Sequence, residues 1–184
     1  MTASLARRVV AAAHLTGEFT LRSGRTSAEY FDKYRFESDP ALLAAIASAM
    51  APLVPAETHT LAGLELGGIP LVTMLSQLTG LPALFVRKEP KPYGTRQLAE
   101  GGEVAGRTLT LVEDVVTSGG AVLAAAAGLR ERGAAVGDVV CVIDRGEGGA
   151  EALAAVDLRM HPLFTRADLD AALDRLGVVE PNIT

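Results

Sequence analysis

Short apolar runs alternate with helical segments over most of the chain. Five runs rich in Val, Leu and Ile predict strands, at residues 59–65, 82–88, 108–115, 138–145 and 158–164. Segments with apolar residues at helical spacing predict helices at residues 69–80, 120–133 and 167–177. Strands that are apolar on both faces and separated by helices are typical of a parallel sheet covered on both sides. The pattern therefore predicts a doubly wound α/β fold with a mainly parallel sheet.

The N-terminal part follows a different pattern. Apolar residues at helical spacing predict a helix over residues 4–15. Alternation and turn residues predict a β-hairpin or extended arm over residues 18–37, with Ser23-Gly24 as its turn. We therefore expect residues 1–37 to form a helix and hairpin addition to the α/β fold.

A further helix should join this addition to the core. Asp39 is a favourable N-cap and Pro40 suits the first turn, so we expect a helix from here to about Met50. A chain of 184 residues suits one compact domain. We predict a single domain over residues 1–184, with residues 38–184 as its α/β core.

Composition and charge exclude several classes of protein and of binding site. The chain has 17 basic and 22 acidic residues, and its net charge of −5 counts against a nucleic-acid binder, because such proteins usually carry a basic face. The single cysteine, Cys141, excludes a disulfide within the chain and a zinc site built on several thiolates. No apolar stretch approaches the roughly 20 residues that span a bilayer. We expect a cytoplasmic protein that binds neither nucleic acid nor a membrane.

The most informative stretch is "LVEDVVTSGGA", residues 111–121. Its run Thr117-Ser118-Gly119-Gly120 lies between a predicted strand and a predicted helix, where backbone N–H groups and the helix dipole form an anion site. The preceding Glu113 and Asp114 are hydrogen-bond acceptors, which suit a vicinal pair of sugar hydroxyls. A phosphate in the loop with a ribose over the carboxylates accounts for both features.

Two common nucleotide motifs, G-x-x-x-x-G-K-[ST] and G-x-G-x-x-G, are absent from the sequence. "LVEDVVTSGGA" instead resembles the phosphoribosyl-diphosphate signature of the type I phosphoribosyltransferases: apolar residues, two acidic residues, two apolar residues, then Thr-Ser-Gly-Gly. The resemblance implies a sheet of that family's kind and 5-phosphoribosyl 1-diphosphate as a ligand. It does not identify the base that accepts the phosphoribosyl group.

Three other stretches resemble the orotate phosphoribosyltransferase family. "EFTLRSGRTSAEYF" (18–31) resembles its N-terminal element, "FVRKEPKPYGTRQLAEG" (85–101) its basic mobile loop, and "VIDRGEGG" (142–149) its V-D-R strand end. The resemblance implies transfer of the phosphoribosyl group from 5-phosphoribosyl 1-diphosphate to orotate with Mg²⁺. The products would be orotidine 5′-monophosphate and diphosphate, a step of pyrimidine synthesis that needs no covalent nucleophile.

The same resemblance implies roles for individual residues. Lys91, Glu113 and Asp114 would take part in catalysis. The residues that would bind 5-phosphoribosyl 1-diphosphate are Arg87, Lys88, Lys91, Tyr93, Glu113, Asp114, Val115, Val116, Thr117, Ser118, Gly119, Gly120 and Ala121. Those that would bind orotate are Arg22, Tyr30, Phe31, Thr117 and Arg145. Mg²⁺ would be held mainly by the diphosphate and the ribose, with no direct ligand from the protein.

Residues 88–102 are charged, rich in glycine and long for a passive connection. The resemblance implies a mobile loop that closes over the site and reaches into the neighbouring subunit of a homodimer. Two residues depart from the family pattern: Tyr93 stands where many members have His, and Gly67 where some have Lys. We expect both departures to weaken donor binding without removing the core machinery.

Simpler interpretations stay open at this point. Tyr30 and Phe31 taken alone would suit core aromatics, and Arg145 a surface ion pair. The chain could instead act on a different base, although the N-terminal element argues against this. It could also be a non-catalytic regulator that senses phosphoribosyl diphosphate, although the acidic net charge counts against the nucleic-acid binding such a regulator would need.

Overall fold

The computed structural model describes residues 2–20, 24, 26–90 and 97–175. Its helices are α1 (Thr2–Ala13), α2 (Tyr34–Ser38), α3 (Pro40–Met50), α4 (Gly68–Thr79), α5 (Gly120–Arg130), α6 (Gly149–Ala154) and α7 (Arg166–Asp174), with a 3₁₀ turn at Ala51–Leu53. Its strands are β1 (His14–Thr20), β2 (Thr26–Phe31), β3 (Thr60–Leu64), β4 (Ala83–Val86), β5 (Ala99–Glu100), β6 (Thr108–Val116), β7 (Ala135–Asp144) and β8 (Arg159–Thr165).

Six strands form one sheet in the order β5-β4-β3-β6-β7-β8. The five strands from β4 to β8 in this order are parallel, and β5 pairs antiparallel with β4 at the edge. Leu111 at the centre of β6 lies opposite Ala62 of β3 and Val139 of β7. This arrangement confirms the predicted doubly wound α/β fold.

Each face of the sheet supports its own apolar core, because successive side chains of a strand point to opposite faces. On one face, Val112 and Val140 pack with buried residues of α1, α2, α3, α4 and α7. On the other, Leu111 and Val139 pack with α5, α6 and β5. Burial on both sides explains why β6 and β7 read as nearly continuous apolar runs. None of the helices in the described ranges is long and apolar enough to cross a membrane.

The N-terminal addition consists of α1, the β1–β2 hairpin and α2. The hairpin is confirmed, but with other bounds than the predicted residues 18–37. Its strands are antiparallel, with His14 opposite Phe31 and Thr20 opposite Thr26, and residues 34–37 belong to α2 instead. The first helix ends at Ala13, two residues earlier than predicted, because His14 and Leu15 pair with β2. Of the predicted turn Ser23-Gly24, only Gly24 lies within the described residues.

Besides the 3₁₀ turn, three short elements were not predicted from the sequence. They are α2, α6 and β5, which have five, six and two residues. Segments of fewer than two helical turns carry too few positions for a period of 3.6 to emerge. Strand β5 lies within the predicted loop 88–102, and the Arg87 N–H donates to the Leu98 carbonyl at 2.8 Å beside it.

Candidate active site

The carboxyl ends of the parallel strands bring the candidate residues to one edge of the sheet. Strand β3 runs into Glu65, β6 ends just after Glu113 and Asp114, and β7 ends at Asp144, directly before Arg145. These three strands are neighbours and run in the same direction. This edge is where open α/β sheets bind their ligands.

Residues 117–119 connect β6 to α5, as the motif predicted. Gly119 takes a left-handed conformation at φ 79°, which favours glycine, and no side chain caps the helix that follows. The N–H groups of the first turn of α5 have no partners within the helix. Thr117 and Ser118 are exposed beside them. The loop therefore offers backbone and hydroxyl donors to an anion.

Helix α6 packs closely against this loop through Gly149. A Cβ atom on Gly149 would lie 2.4 Å from the Thr117 carbonyl oxygen and 2.8 Å from Cγ1 of Val116. The backbone of α6 thus fits against the loop only because residue 149 has no side chain. The sequence interpretation did not assign Gly149 a role, although the consecutive glycines of "GEGG" mark a close backbone approach.

Three acidic side chains and one lysine meet beneath the loop. The Asp114 side chain is fully buried, and its Oδ2 lies 2.6 Å from Nζ of Lys33. The Oδ1 atom of Asp114 accepts a hydrogen bond from the backbone N–H of Val115. Glu113 is also buried and accepts from the N–H of Asp114 at 2.9 Å. Glu37 of α2 completes the group from the N-terminal addition.

The electrostatics leave the negative charge on Asp114. Burial and the neighbouring Asp114 charge raise the pKa of Glu37 to about 9, and burial raises the pKa of Glu113 well above its usual range. Burial opposes the ionisation of Asp114, but hydrogen bonds with Glu113 and Lys33 lower its pKa overall. Burial also opposes the charge on Lys33, yet its contact with Asp114 raises the pKa of Lys33. Within this group the negative charge is therefore favoured on Asp114 and the positive charge on Lys33, whereas Glu37 and Glu113 hold a proton more readily than exposed carboxyls do.

Gly67 lies against this group, just before α4. A Cβ atom there would lie 1.7 Å from Oδ2 of Asp114 and 3.0 Å from Oε1 of Glu37. The backbone of Gly67, at φ −66° and ψ −28°, is open to any residue. The glycine is therefore required for space rather than for conformation, and a lysine at position 67 does not fit while Asp114 keeps this position.

An aromatic cavity lies between the N-terminal hairpin and α7. Its volume is about 360 Å³, and Tyr30, Phe31 and Arg145 line it together. Tyr30 is 44% exposed and lies against Phe19, with ring centroids 5.5 Å apart. It is therefore not a core aromatic. Arg145 holds its Nε 3.5 Å from Oε1 of Glu147.

Of the other predicted binding residues, the structure places Arg87 and Lys88 directly after β4. The Lys88 N–H donates to Oε2 of Glu65 at 3.1 Å, which joins the loops that follow β3 and β4. Within the described part of the chain, Nε of Arg87 is buried without a hydrogen-bond partner. Arg22, Lys91 and Tyr93 lie outside the described residues.

The sequence interpretation missed Lys33 and Glu37. Both belong to "FDKYRFES", which follows the predicted base-binding pair Tyr30 and Phe31 without a break. Their proximity to Asp114 arises because α2 packs beneath the end of β6, a contact between residues far apart in the chain.

Several known proteins match the chain over most of its length. Residues 34–160 match the model of the phosphoribosyl transferase domain family. Orotate phosphoribosyltransferase of Nocardioides sp. (strain ATCC BAA-499 / JS614) is 56% identical over 172 residues, which cover 94% of this chain and 96% of that protein. Orotate phosphoribosyltransferase of Methanocella arvoryzae is 46% identical over 153 residues, covering 83% and 87%.

A solved structure agrees with these matches. Mycobacterium tuberculosis H37Rv orotate phosphoribosyltransferase in complex with 5-phospho-α-D-ribosyl 1-diphosphate superposes with a TM-score of 0.79 at 32% identity, covering 92% of this chain and 98% of that one. The fold is thus that of a phosphoribosyltransferase. Within that class, the chain belongs to the orotate phosphoribosyltransferase family.

The raised pKa of Glu37 makes stability depend on pH. In the unfolded chain this carboxyl ionises near 4.5, whereas the folded chain keeps its proton up to about pH 9. The unfolded state therefore binds fewer protons across this window, and the folded state loses stability as pH rises. Glu37→Gln removes this loss. The difference between the free energy of unfolding of the variant and that of the native chain should therefore shift by about 1 kcal/mol or more in favour of the variant from pH 5 to pH 9.

Urea unfolding at pH 5, 7 and 9 measures this difference. Glu131→Gln, at an exposed glutamate after α5, is the matched control and should show the same difference at every pH. A constant offset for Glu37→Gln would contradict the protonated state of Glu37.

Proposed function

We propose that the chain transfers the 5-phosphoribosyl group from 5-phosphoribosyl 1-diphosphate to orotate, giving orotidine 5′-monophosphate and diphosphate in pyrimidine synthesis. The observation that carries the proposal is the meeting of three features at one edge of the sheet. These are the anion loop before α5, the buried carboxylate of Asp114, and the aromatic cavity that contains Arg145. Relatives that share about half of its residues are named for this activity.

The donor would lie with its 5′-phosphate on residues 117–121. Backbone N–H groups at the start of α5, together with the hydroxyls of Thr117 and Ser118, supply donors for it. Val115 and Val116 lead the chain from the carboxylates to this loop, so a ribose attached to the phosphate would extend back toward Glu113 and Asp114. The charged Asp114 would accept from the ribose hydroxyls.

Asp114 would also act on the reaction itself. As the bond between C1 of the ribose and the diphosphate oxygen breaks, positive charge develops on the ribose ring. A fixed carboxylate in a buried site attracts that charge more strongly than one in water does. Glu113 lies beside it, and burial raises the pKa of Glu113, so this carboxyl holds a proton more readily than an exposed glutamate does. The chain would therefore lower the barrier by position and electrostatics, without a covalent intermediate.

Orotate would occupy the aromatic cavity. Tyr30 and Phe31 would form the wall against its flat ring, and the guanidinium of Arg145 would pair with its carboxylate. Thr117, directly after β6, and Arg22 complete the proposed set.

The diphosphate needs positive charge. Arg87 and Lys88 after β4 would supply part of it, and Lys91 and Tyr93 belong to the proposed mobile loop that would close over the site. We propose Mg²⁺ as the cofactor that neutralises the diphosphate when it is bound. Among the described residues, no cluster of three or more acidic, His or Cys side chains could hold a metal. We propose the oxygens of the donor as its main ligands.

The test is an absorbance assay of orotate consumption with the donor and Mg²⁺. We expect the chain to consume orotate but not adenine or hypoxanthine. Arg145→Ala should raise KM for orotate about 10- to 100-fold, because a hydrogen bond to a charged group is worth about 1.5–3 kcal/mol. It should also reduce the preference for orotate over uracil, which lacks the carboxylate.

Arg159→Ala is the matched control. Arg159 starts β8 at the opposite edge of the sheet and pairs there with Asp138, so KM for orotate should not change. EDTA should stop turnover and added Mg²⁺ should restore it. If the native chain binds the donor but converts no base, the proposed function is wrong. If EDTA has no effect, the metal proposal is wrong.

We further propose a cytoplasmic homodimer in which the loop 88–102 of one subunit reaches the site of the other. Leu78 of α4 and Phe85 of β4 are large apolar side chains that are exposed on neighbouring elements, as an interface requires. Sedimentation equilibrium should give twice the chain mass of 19.1 kDa. A monomer with full activity would contradict the shared site.

The single cysteine suits the reducing cytoplasm, which cell fractionation would test.

A further inference from the structure

We propose that Lys33 is a positioning residue of the donor site: its ammonium holds the Asp114 carboxylate until the ribose hydroxyls of the donor replace it there. The inference rests on the proposed role of Asp114 as the acceptor for the ribose. It assigns a function to a lysine of the N-terminal addition rather than of the α/β core.

The first support is the geometry of the ion pair. Lys33 lies between β2 and α2, and its Nζ reaches Oδ2 of Asp114 at 2.6 Å. The Lys33 side chain is 35% exposed, whereas that of Asp114 is fully buried. The lysine thus extends from the solvent edge of the site to the buried carboxylate. A long, flexible side chain in this position can leave without unfolding its surroundings.

The second support is the charge of the surroundings. Glu37 faces Asp114 from α2, Glu113 precedes it on β6, and Asp32 adds negative charge next to Lys33. Tyr34 lies below the ammonium, 5.4 Å from Nζ to the ring centroid. Among the described residues, Lys33 is the one cation within salt-bridge distance of Asp114. Without Lys33, the remaining ionisable side chains around the Asp114 carboxylate would all be acidic.

The third support is steric. The space beside Asp114 at the start of α4 is closed to side chains, because a Cβ atom on Gly67 would overlap Oδ2 of Asp114. A side chain at position 67 would therefore require the Asp114 carboxylate to move, and the loop itself, residues 65–67, contains no cation. The N-terminal addition supplies it instead, on the same segment that carries Tyr30 and Phe31 of the base cavity. One segment thus connects the base site to the ribose site.

These contacts define an exchange. In the free chain, the ammonium of Lys33 offsets the charge of Asp114 and favours its ionised form, which avoids an unpaired buried charge. On donor binding, ribose O–H groups take over as hydrogen-bond donors to Asp114. The released ammonium then lies at the mouth of a site that contains an anionic ligand. The carboxylate is satisfied in both states, and its charge is retained for the developing cation.

Removal of Lys33 should shift the pH dependence of donor binding. Asp114 would then take up a proton more readily from solution, and a protonated Asp114 is a poorer acceptor. We expect Lys33→Gln to weaken donor binding about tenfold at pH 6 and less at pH 8.5, which moves the acid limb of the affinity profile to higher pH. Lys33→Arg keeps the charge and should retain most of the native profile.

Calorimetric titration with 5-phosphoribosyl 1-diphosphate between pH 5.5 and 8.5 measures this. Arg35→Gln is the matched control, since it removes an exposed positive charge from α2 without a contact to Asp114, and should leave the profile unchanged. A native profile in Lys33→Gln would overturn the inference. The inference would also be overturned if Lys33→Arg weakened donor binding as much as Lys33→Gln does, because the positive charge at residue 33 would then not determine donor affinity.

A second measurement uses the native chain and does not depend on how the variants fold. The sequence has three lysines, Lys33, Lys88 and Lys91, so side-chain ¹⁵N NMR can resolve them, with Lys33→Arg as the assignment. The ¹⁵N chemical shift of the Lys33 side chain should change when the donor saturates the site, and it should not change when orotate alone is added. A signal unchanged by saturating donor would overturn the exchange. If the exchange is seen but no base is converted, the proposed function fails while the role of Lys33 stands.

Discussion

The negative charge of Asp114, buried at the end of β6, is the constraint on which the site depends. A lone ionised carboxylate away from water is costly, and it persists only where hydrogen bonds and an opposite charge compensate for lost hydration. Here the compensation comes from the ammonium of Lys33 and the N–H of Val115. Gly67 leaves the space in which this group fits.

The rest of the fold places that charge correctly. Strand β6 is central in the sheet and buried on both faces, so its end cannot move without disturbing two apolar cores. The same strand continues into the anion loop, which Gly149 of α6 supports from below. The N-terminal addition contributes the aromatic wall and Lys33. The distance between the loop and the Asp114 carboxylate is therefore fixed by strand geometry rather than by flexible side chains.

The sequence predicted the features that local pattern encodes. The apolar runs of β3, β4, β6, β7 and β8 predicted a parallel sheet, and "EDVVTSGGA" predicted a carboxylate pair beside an anion loop. The resemblance of three further stretches predicted an orotate site of Arg22, Tyr30, Phe31, Thr117 and Arg145. Tyr30, Phe31 and Arg145 line one cavity, whereas Thr117 is not among its lining residues and Arg22 lies outside the described residues, so the orotate site stays a prediction. What the sequence did not predict is the contact of Lys33 and Glu37 with Asp114. That contact joins residues about 80 positions apart, and no periodicity or spacing encodes it. The close approach of Gly67 to Asp114 and Glu37 likewise could not be predicted, because it depends on where those side chains lie in the folded chain.

The central claim is that Asp114 accepts the ribose while the loop over residues 117–121 holds the phosphate. Calorimetric titration of Asp114→Asn with 5-phosphoribosyl 1-diphosphate and, separately, with inorganic phosphate tests both parts in one protein. The account predicts that donor affinity falls about 10- to 100-fold, as expected for the loss of a charged acceptor, while phosphate affinity changes less than about twofold. Unchanged donor affinity in a folded variant would contradict the account.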